Sequence, residues 1–231
     1  MSSTNRGGQR CDADFYPTAA WMVDRLLEAC QLPGGRWLEP GAGDGAIIRA
    51  VNARRTDVRW TAVELREHCR APLMELLGPG PRIHIGDFLT WMPGVNTSGP
   101  LSTVGELARF DVCIGNPPYS LAQEFVDRCL ALAAVVLFPL RLNFLGSEAR
   151  REWFGRIGVP DVFVLPNRPD FSGNGGDSCE YAWMRFTRPE FKVRRTLAAT
   201  GEVVWDPGSI RILATTPRAV RVAQKPRGPT P

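Results

Sequence analysis

The feature that most constrains this chain is an alternation. Short apolar, β-branched runs recur along it, and amphipathic stretches with helical spacing lie between them. The runs are RWLEP (36–40), RWTAVEL (59–65), RIHIGDF (82–88), FDVCIG (110–115), AAVVLF (133–138), DVFVL (161–165) and EYAWMRF (180–186). Helical patterns fall at 44–54, 66–77, 120–132 and 147–157, after an opening helix near 18–30 for which Thr18 would serve as N-cap. Strands alternating with helices predict an α/β fold, a parallel, doubly wound sheet covered on both faces. The sixth and seventh runs are joined by PNRPDFSGNGGDSC, with no helix between them. Those two strands are expected to form a hairpin, which makes the last strand antiparallel in a seven-stranded, mostly parallel sheet. Near the end, GEVVW and IRIL on either side of DPGS read as a small additional hairpin.

The chain's 231 residues suit one domain, or one domain with an appendage. Its formal charge of +4 is unevenly spread: from Thr187 to Pro231 there are nine Lys/Arg against three Asp/Glu. A basic tail on a near-neutral body serves either a phosphate backbone or simple solvation. The six cysteines form no CxxC pair, and His68 and His84 stand at no metal-ligand spacing to them, so no structural metal is expected. No apolar run approaches membrane length, and MSSTNRGGQR lacks the apolar core of a signal peptide. The expectation is a reduced, soluble, cytoplasmic protein with no membrane partner.

Ligands of open α/β sheets bind beyond the carboxyl ends of the strands. Glu39-Pro40-Gly41-Ala42-Gly43-Asp44-Gly45 falls at such an end, immediately before a helix. Its glycines permit unusual dihedrals and close approach of a ligand to backbone. A phosphate loop would favour anions, whereas this turn opens with Glu39 and contains Asp44, which suits a ligand carrying positive charge. Glu64, at the end of the second strand, offers a carboxylate to two ribose hydroxyls. After the third strand, Asp87 offers an acceptor for an adenine amino group, with Phe88 packing on the ring. Any one of these acids alone is more often a solvated loop residue or a helix cap. Three at successive strand ends, with the glycine turn, fit S-adenosylmethionine better than a dinucleotide.

Asn116-Pro117-Pro118-Tyr119 follows the fourth strand. The exocyclic amine of a nucleobase is a poor nucleophile because its lone pair is delocalised into the ring. Two acceptors, the Asn116 side-chain oxygen and the Pro117 carbonyl, would hold both hydrogens and turn the lone pair towards a methyl group. Transfer is then in-line displacement assisted by positioning and preorganised electrostatics. The prolines fix dihedrals and remove competing donors, and Tyr119 offers a flat face for the ring. The plainer reading is a proline-rich turn that ends a strand.

With EPGAGDG and NPPY in that order, the chain resembles the class I, Rossmann-like S-adenosylmethionine-dependent methyltransferases. Within them it is most similar to the gamma-type DNA adenine-N6 enzymes of restriction–modification and phage origin. The resemblance covers residues 13–187 as catalytic domain, leaving a flexible N-terminus (1–12) and a basic extension (188–231). It implies that DFYPTAAWMVDRLL closes over the methionine end of the cofactor, with Tyr16, Pro17 and Thr18 near its amino and carboxylate groups. It also extends the cofactor set to Leu65. An aromatic residue in the loop between the last two strands packs on the extruded base in this family, and Phe171 is the candidate, with Arg168 at a phosphate. Arg194 and Arg195 are further candidates for nucleic acid.

Larger family members carry a target-recognition domain after the catalytic region, and here about 45 residues follow. Selectivity is expected from 92–108, the 167–179 loop, the tail or a separate specificity partner. Duplex DNA would require flipping the base out at a cost of a few kcal/mol; single-stranded DNA would not. The alternatives are RNA adenine-N6, the glutamine-N5 amide of a protein (NPPY occurs in such enzymes too), and a non-catalytic cofactor-binding scaffold.

Overall fold

The computed structural model describes residues 17–80, 82–93, 110–170, 178–192, 194–196, 203–205 and 208–224. Its elements run α1 (Ala20–Ala29), β1 (Gly35–Pro40), α2 (Ala46–Asn52), β2 (Val58–Glu64), α3 (Arg70–Leu77), β3 (Ile83–Ile85), β4 (Phe110–Ile114) and α4 (Ala122–Leu132). There follow β5 (Ala133–Arg141), α5 (Arg151–Ile157), β6 (Asp161–Val164), β7 (Tyr181–Thr187), β8 (Arg194–Thr196), β9 (Val203–Trp205), β10 (Ile210–Ile212) and α6 (Arg218–Ala223).

Successive side chains of a strand point to opposite faces, and here both faces are buried. Trp37, Val112 and Ile114 pack with Met22, Leu26, Ile48 and Leu73 from α1, α2 and α3. Their immediate neighbours Leu38 and Cys113 pack on the other side with Phe125, Val126 and Cys129 of α4 and Trp153 of α5. This is why the strands read as nearly continuous apolar runs. The indoles that enter these cores keep a polar partner: Trp183 Nε1 donates to the Met22 carbonyl at 2.9 Å, and Trp153 Nε1 to Asp127 Oδ1 at 2.7 Å.

The main sheet has the order β10-β6-β7-β5-β4-β1-β2-β3. All its pairings are parallel except those of β7, which lies antiparallel between β5 and β6. The expected hairpin of the last two core strands is therefore present. With Arg141 opposite Tyr181 and Val164 opposite Ala182, the connection between β6 and β7 leaves and rejoins the sheet at its carboxyl edge, beside the segment after β4.

Several expectations are corrected. β5 continues to Arg141 although its apolar run stops at Phe138. Its last pair with β4 is Ile114 opposite Leu137, so Pro139 falls where β7 alone needs pairing, a position that tolerates proline. β3 is only three residues long: the Asp87 side chain accepts the Leu89 N–H at 2.9 Å and bends the chain out of the sheet. α1 begins after Ala19, with no side-chain cap, and Thr18 is buried instead.

Among the described residues GEVVW and IRIL do not form the expected small hairpin; β9 pairs with β8, and β10 adds to the main sheet parallel to β6 as an eighth strand. Asp161 draws it there, with Oδ1 accepting both the N–H and the hydroxyl of Ser209 at 2.7 Å. Its Oδ2 takes Arg185 Nε and Nη2 at 3.0 and 2.7 Å. A Cβ on Gly208 would strike the Pro160 backbone, so only glycine lets the strand approach this closely.

Candidate active site

Four strand ends converge on one cleft of about 120 Å³. β1 supplies Glu39, and the turn after it supplies Gly41, Gly43 and Asp44. β2 contributes Glu64 and the bend after it Leu65, the turn after β3 Asp87 and Phe88, and the segment after β4 Asn116 and Pro118. Pro17 and Thr18 close one side. The structure thus brings together most of the residues singled out in the sequence. Tyr16 and Phe171 lie outside the described residues, as do most of 92–108 and the end of the basic tail.

The glycine turn is conformationally demanding. Gly41, Gly43 and Gly45 have φ of 65°, 56° and 83°, a region that side chains other than glycine adopt reluctantly. Glu64 holds the turn in place: its Oε2 accepts the Gly43 N–H at 2.7 Å, and its Oε1 accepts the Arg66 N–H at 3.0 Å. Glu64 is 2% exposed. A carboxylate has about four acceptor sites, so capacity remains for hydroxyls in the cleft.

Glu39 is also 2% exposed, and its Oε2 meets no hydrogen-bond donor among the described residues. Burial holds its carboxyl well above the usual range. The negative charge of Asp44 adds to this, while the Ile48 backbone N–H and Arg49 pull the other way. An enclosed carboxylate oxygen without a donor favours a cationic, hydrogen-bonding ligand. Asp44 is more open and is paired with Arg49, Nη2 to Oδ2 at 2.7 Å. Asp87 is exposed at the rim, and Phe88 is buried with its ring 5.0 Å from that of Phe125.

Pro40 and Pro117 are buried behind the lining. A Cβ on Gly115 would stand 2.8 Å from the Pro40 carbonyl oxygen, so the glycine turn and the Asn-Pro-Pro segment rest directly on one another. Tyr119 faces a neighbouring cavity, where its ring packs against Tyr181 at 5.8 Å with the Arg141 guanidinium 5.2 Å above it. Arg168 pairs with Glu180 across the base of the β6–β7 connection. Arg194 and Arg195 lie in β8, which pairs with β9 in a separate two-stranded sheet.

The sequence reading missed Arg66, Leu121 and Phe125 in the cleft. Leu121 and Phe125 are four apart at the start of the helix after NPPY, a spacing that puts both on one helical face. Among the described residues no helix is long and apolar enough to cross a membrane, and no group of three or more His, Cys, Asp and Glu residues is placed to hold a metal ion.

No family model matches the chain. Over 109 residues it is 35% identical to the type II methyltransferase M.TthHB8I of Thermus thermophilus, a match that spans 46% of this chain and 21% of that protein. Among solved structures, a candidate RNA methyltransferase from Pyrococcus horikoshii superposes with a TM-score of 0.56 at 16% identity, covering 80% of this chain and 92% of that one. The methyltransferase subunit of a type I restriction-modification system from Streptococcus thermophilus superposes at 0.55 with 18% identity, covering 78% and 46%. These likenesses, with the doubly wound sheet and its antiparallel β7, give the chain the fold of the class I S-adenosylmethionine-dependent methyltransferases.

Proposed function

We propose that this protein transfers a methyl group from S-adenosylmethionine to the N6 amino nitrogen of adenine in DNA. The observation that carries the reading is that Asn116 and Pro118 share one cleft with Glu39, Glu64 and Asp87 around the glycine turn. A cofactor with a cationic end and a nucleoside end matches that distribution of acceptors. Glu39 would take its ammonium, Glu64 its ribose hydroxyls, and Asp87 its adenine amine beside Phe88. When bound, S-adenosylmethionine supplies an electrophilic methyl group.

The side-chain oxygen of Asn116 and the carbonyl of Pro117 would each accept one N–H of the target amine. Its lone pair is then directed into the cleft, and the proton lost after transfer leaves through these acceptors to solvent. Pro117 and Pro118 offer no N–H to compete for them. This is catalysis by positioning and fixed dipoles. The similarity to a type II methyltransferase supports the reading over the part of the chain that it covers.

The test is incubation with methyl-labelled S-adenosylmethionine and, separately, duplex DNA, single-stranded DNA, RNA or a protein extract. Nucleoside mass spectrometry follows, with Asn116→Ala alongside. Labelled N6-methyladenine from DNA, lowered about 100- to 1,000-fold in the variant, is the expected result. Label confined to RNA or to protein would move the substrate, and cofactor binding with no transfer to any of them would leave a scaffold.

A further inference from the structure

A second cavity, of about 220 Å³, adjoins the Asn-Pro-Pro-Tyr segment at Tyr119. Its walls include Tyr119, Arg141, Asn143, Phe144 and Arg150. The cofactor reading uses none of its polar groups. β5 runs four residues past its last pair with β4, roughly 13 Å at the rise of a strand, and so carries Arg141 out to the mouth. A short turn then brings Asn143 and Phe144 round, and the next turn, ahead of α5, returns Arg150 to the same place.

Both guanidiniums are braced on aromatic rings. Arg141 donates from Nε to the Tyr181 hydroxyl at 2.9 Å, with its Cζ 5.2 Å from the centre of the Tyr119 ring. Arg150 stacks over Phe144 with its Cζ at 4.2 Å. Among the described residues the only hydrogen bond of its guanidinium runs from Nη1 to the Phe144 carbonyl at 3.3 Å, no carboxylate pairs with it, and its enclosed Nε has no acceptor. A guanidinium carries five donors, so Arg150 is held in place with most of them unused. Every other polar side chain of this wall, on Tyr119, Arg141 and Asn143, carries a donor, and among the described residues no acid lines the cavity.

The geometry points to this cavity as an anion subsite for a DNA phosphodiester, the one flanking the nucleotide whose base enters the cleft at Asn116. It rests on the proposed function for its choice of DNA. Fork-shaped donors on a rigid aromatic support suit a phosphate's oxygens. A fixed phosphate beside the methylated nucleotide would set the height at which the base meets Asn116 and Pro117.

The test is the salt dependence of binding of the full chain to fluorescent single-stranded and duplex oligodeoxynucleotides and to an RNA oligonucleotide. Wild type is compared with Arg150→Gln, with Arg150→Met, which retains apolar packing on Phe144, and with Arg150→Lys. The labelled-methyl assay and cofactor titration run on the same samples. Each neutral variant is expected to lower the slope of log K against log salt by about 0.7 on single strands or 0.9 on duplex. Lys should restore the slope, and cofactor affinity should stay unchanged throughout. Slopes equal to wild type in both neutral variants would overturn the subsite, even with DNA methylated. A lowered slope on DNA that is never methylated would leave the subsite standing and remove the functional reading. A change confined to an RNA oligonucleotide would overturn the assignment to DNA.

Discussion

Glu64 reaches from the end of β2 to the turn after β1 and accepts the Gly43 N–H at 2.7 Å. The same carboxylate that the sequence offers to ribose hydroxyls is thus a brace for the backbone around it. The neighbouring Ala42 N–H bonds the Val63 carbonyl at 3.1 Å, so the turn hangs from the end of β2 at two successive residues. Glu64→Ala removes a buried, charged acceptor and leaves the Gly43 donor unanswered. It should cost about 1.5–3 kcal/mol of stability and at least tenfold in cofactor affinity, read by denaturant unfolding and calorimetric titration. Wild-type affinity in Glu64→Ala would remove this residue from the binding set.

Glu39 should link cofactor binding to pH. Its carboxyl is held well above the ordinary range, first by burial and then by Asp44. The folded protein therefore keeps this proton more tightly than the unfolded chain does, and its contribution to stability declines as pH rises through that interval. A cationic ligand takes the ionised form, so binding should release a proton and tighten as pH rises. Glu39→Gln is expected to melt higher than wild type at neutral pH, with the gap closing below the normal glutamate range, while binding the cofactor weakly and with a flatter pH profile. Calorimetry in buffers of different ionisation enthalpy measures the released proton directly.

Gly115→Ala should be felt in both motifs at once. Its methyl would stand 2.8 Å from the Pro40 carbonyl and 3.1 Å from Pro40 Cδ. Forcing the two segments apart is expected to cost about 1–3 kcal/mol, as overpacking does. Because Asn116 is the next residue, methyl transfer should fall further than cofactor affinity. A variant with wild-type melting temperature and turnover would show that the two segments can separate freely.

Asp161→Ala should release the C-terminal strand. Burial pushes this carboxyl up, but the Ser209 hydroxyl and amide, together with Arg185, outweigh it and hold the carboxyl below the usual aspartate range. A depressed carboxylate contributes stability above its unfolded value and loses it as pH falls through the folded one. The variant should therefore be less stable than wild type by about 2 kcal/mol near neutral pH. The difference should shrink in acid. Hydrogen exchange should show Ile210, Arg211 and Ile212 losing protection first.

What the sequence revealed and what it concealed divide along a physical line. Trp37-Leu38 and Val112-Cys113 feed two cores, so their strands stand out as apolar runs. Glu39 and Glu64 stand out because acids are rare at the ends of such runs. Ile210 and Ile212 are 71% and 69% exposed, and β10 is held by the side chain of a residue 48 positions earlier, which no local pattern announces. Gly115 looks like any turn glycine until Pro40 is placed against it. Arg141 and Arg150 become neighbours only when β5 overshoots β4 and the following turns fold back.

The reversed strand has a consequence for how much this fold can vary. Because β7 returns between β5 and β6, the connection before it begins and ends at the carboxyl edge, anchored by Val164 opposite Ala182 and Arg141 opposite Tyr181. The cost of closing a longer loop there grows only slowly with its length, and no strand need change partners to accept one. That seam is a splice point, where residues can be added or exchanged while the pairing beneath them is inherited intact.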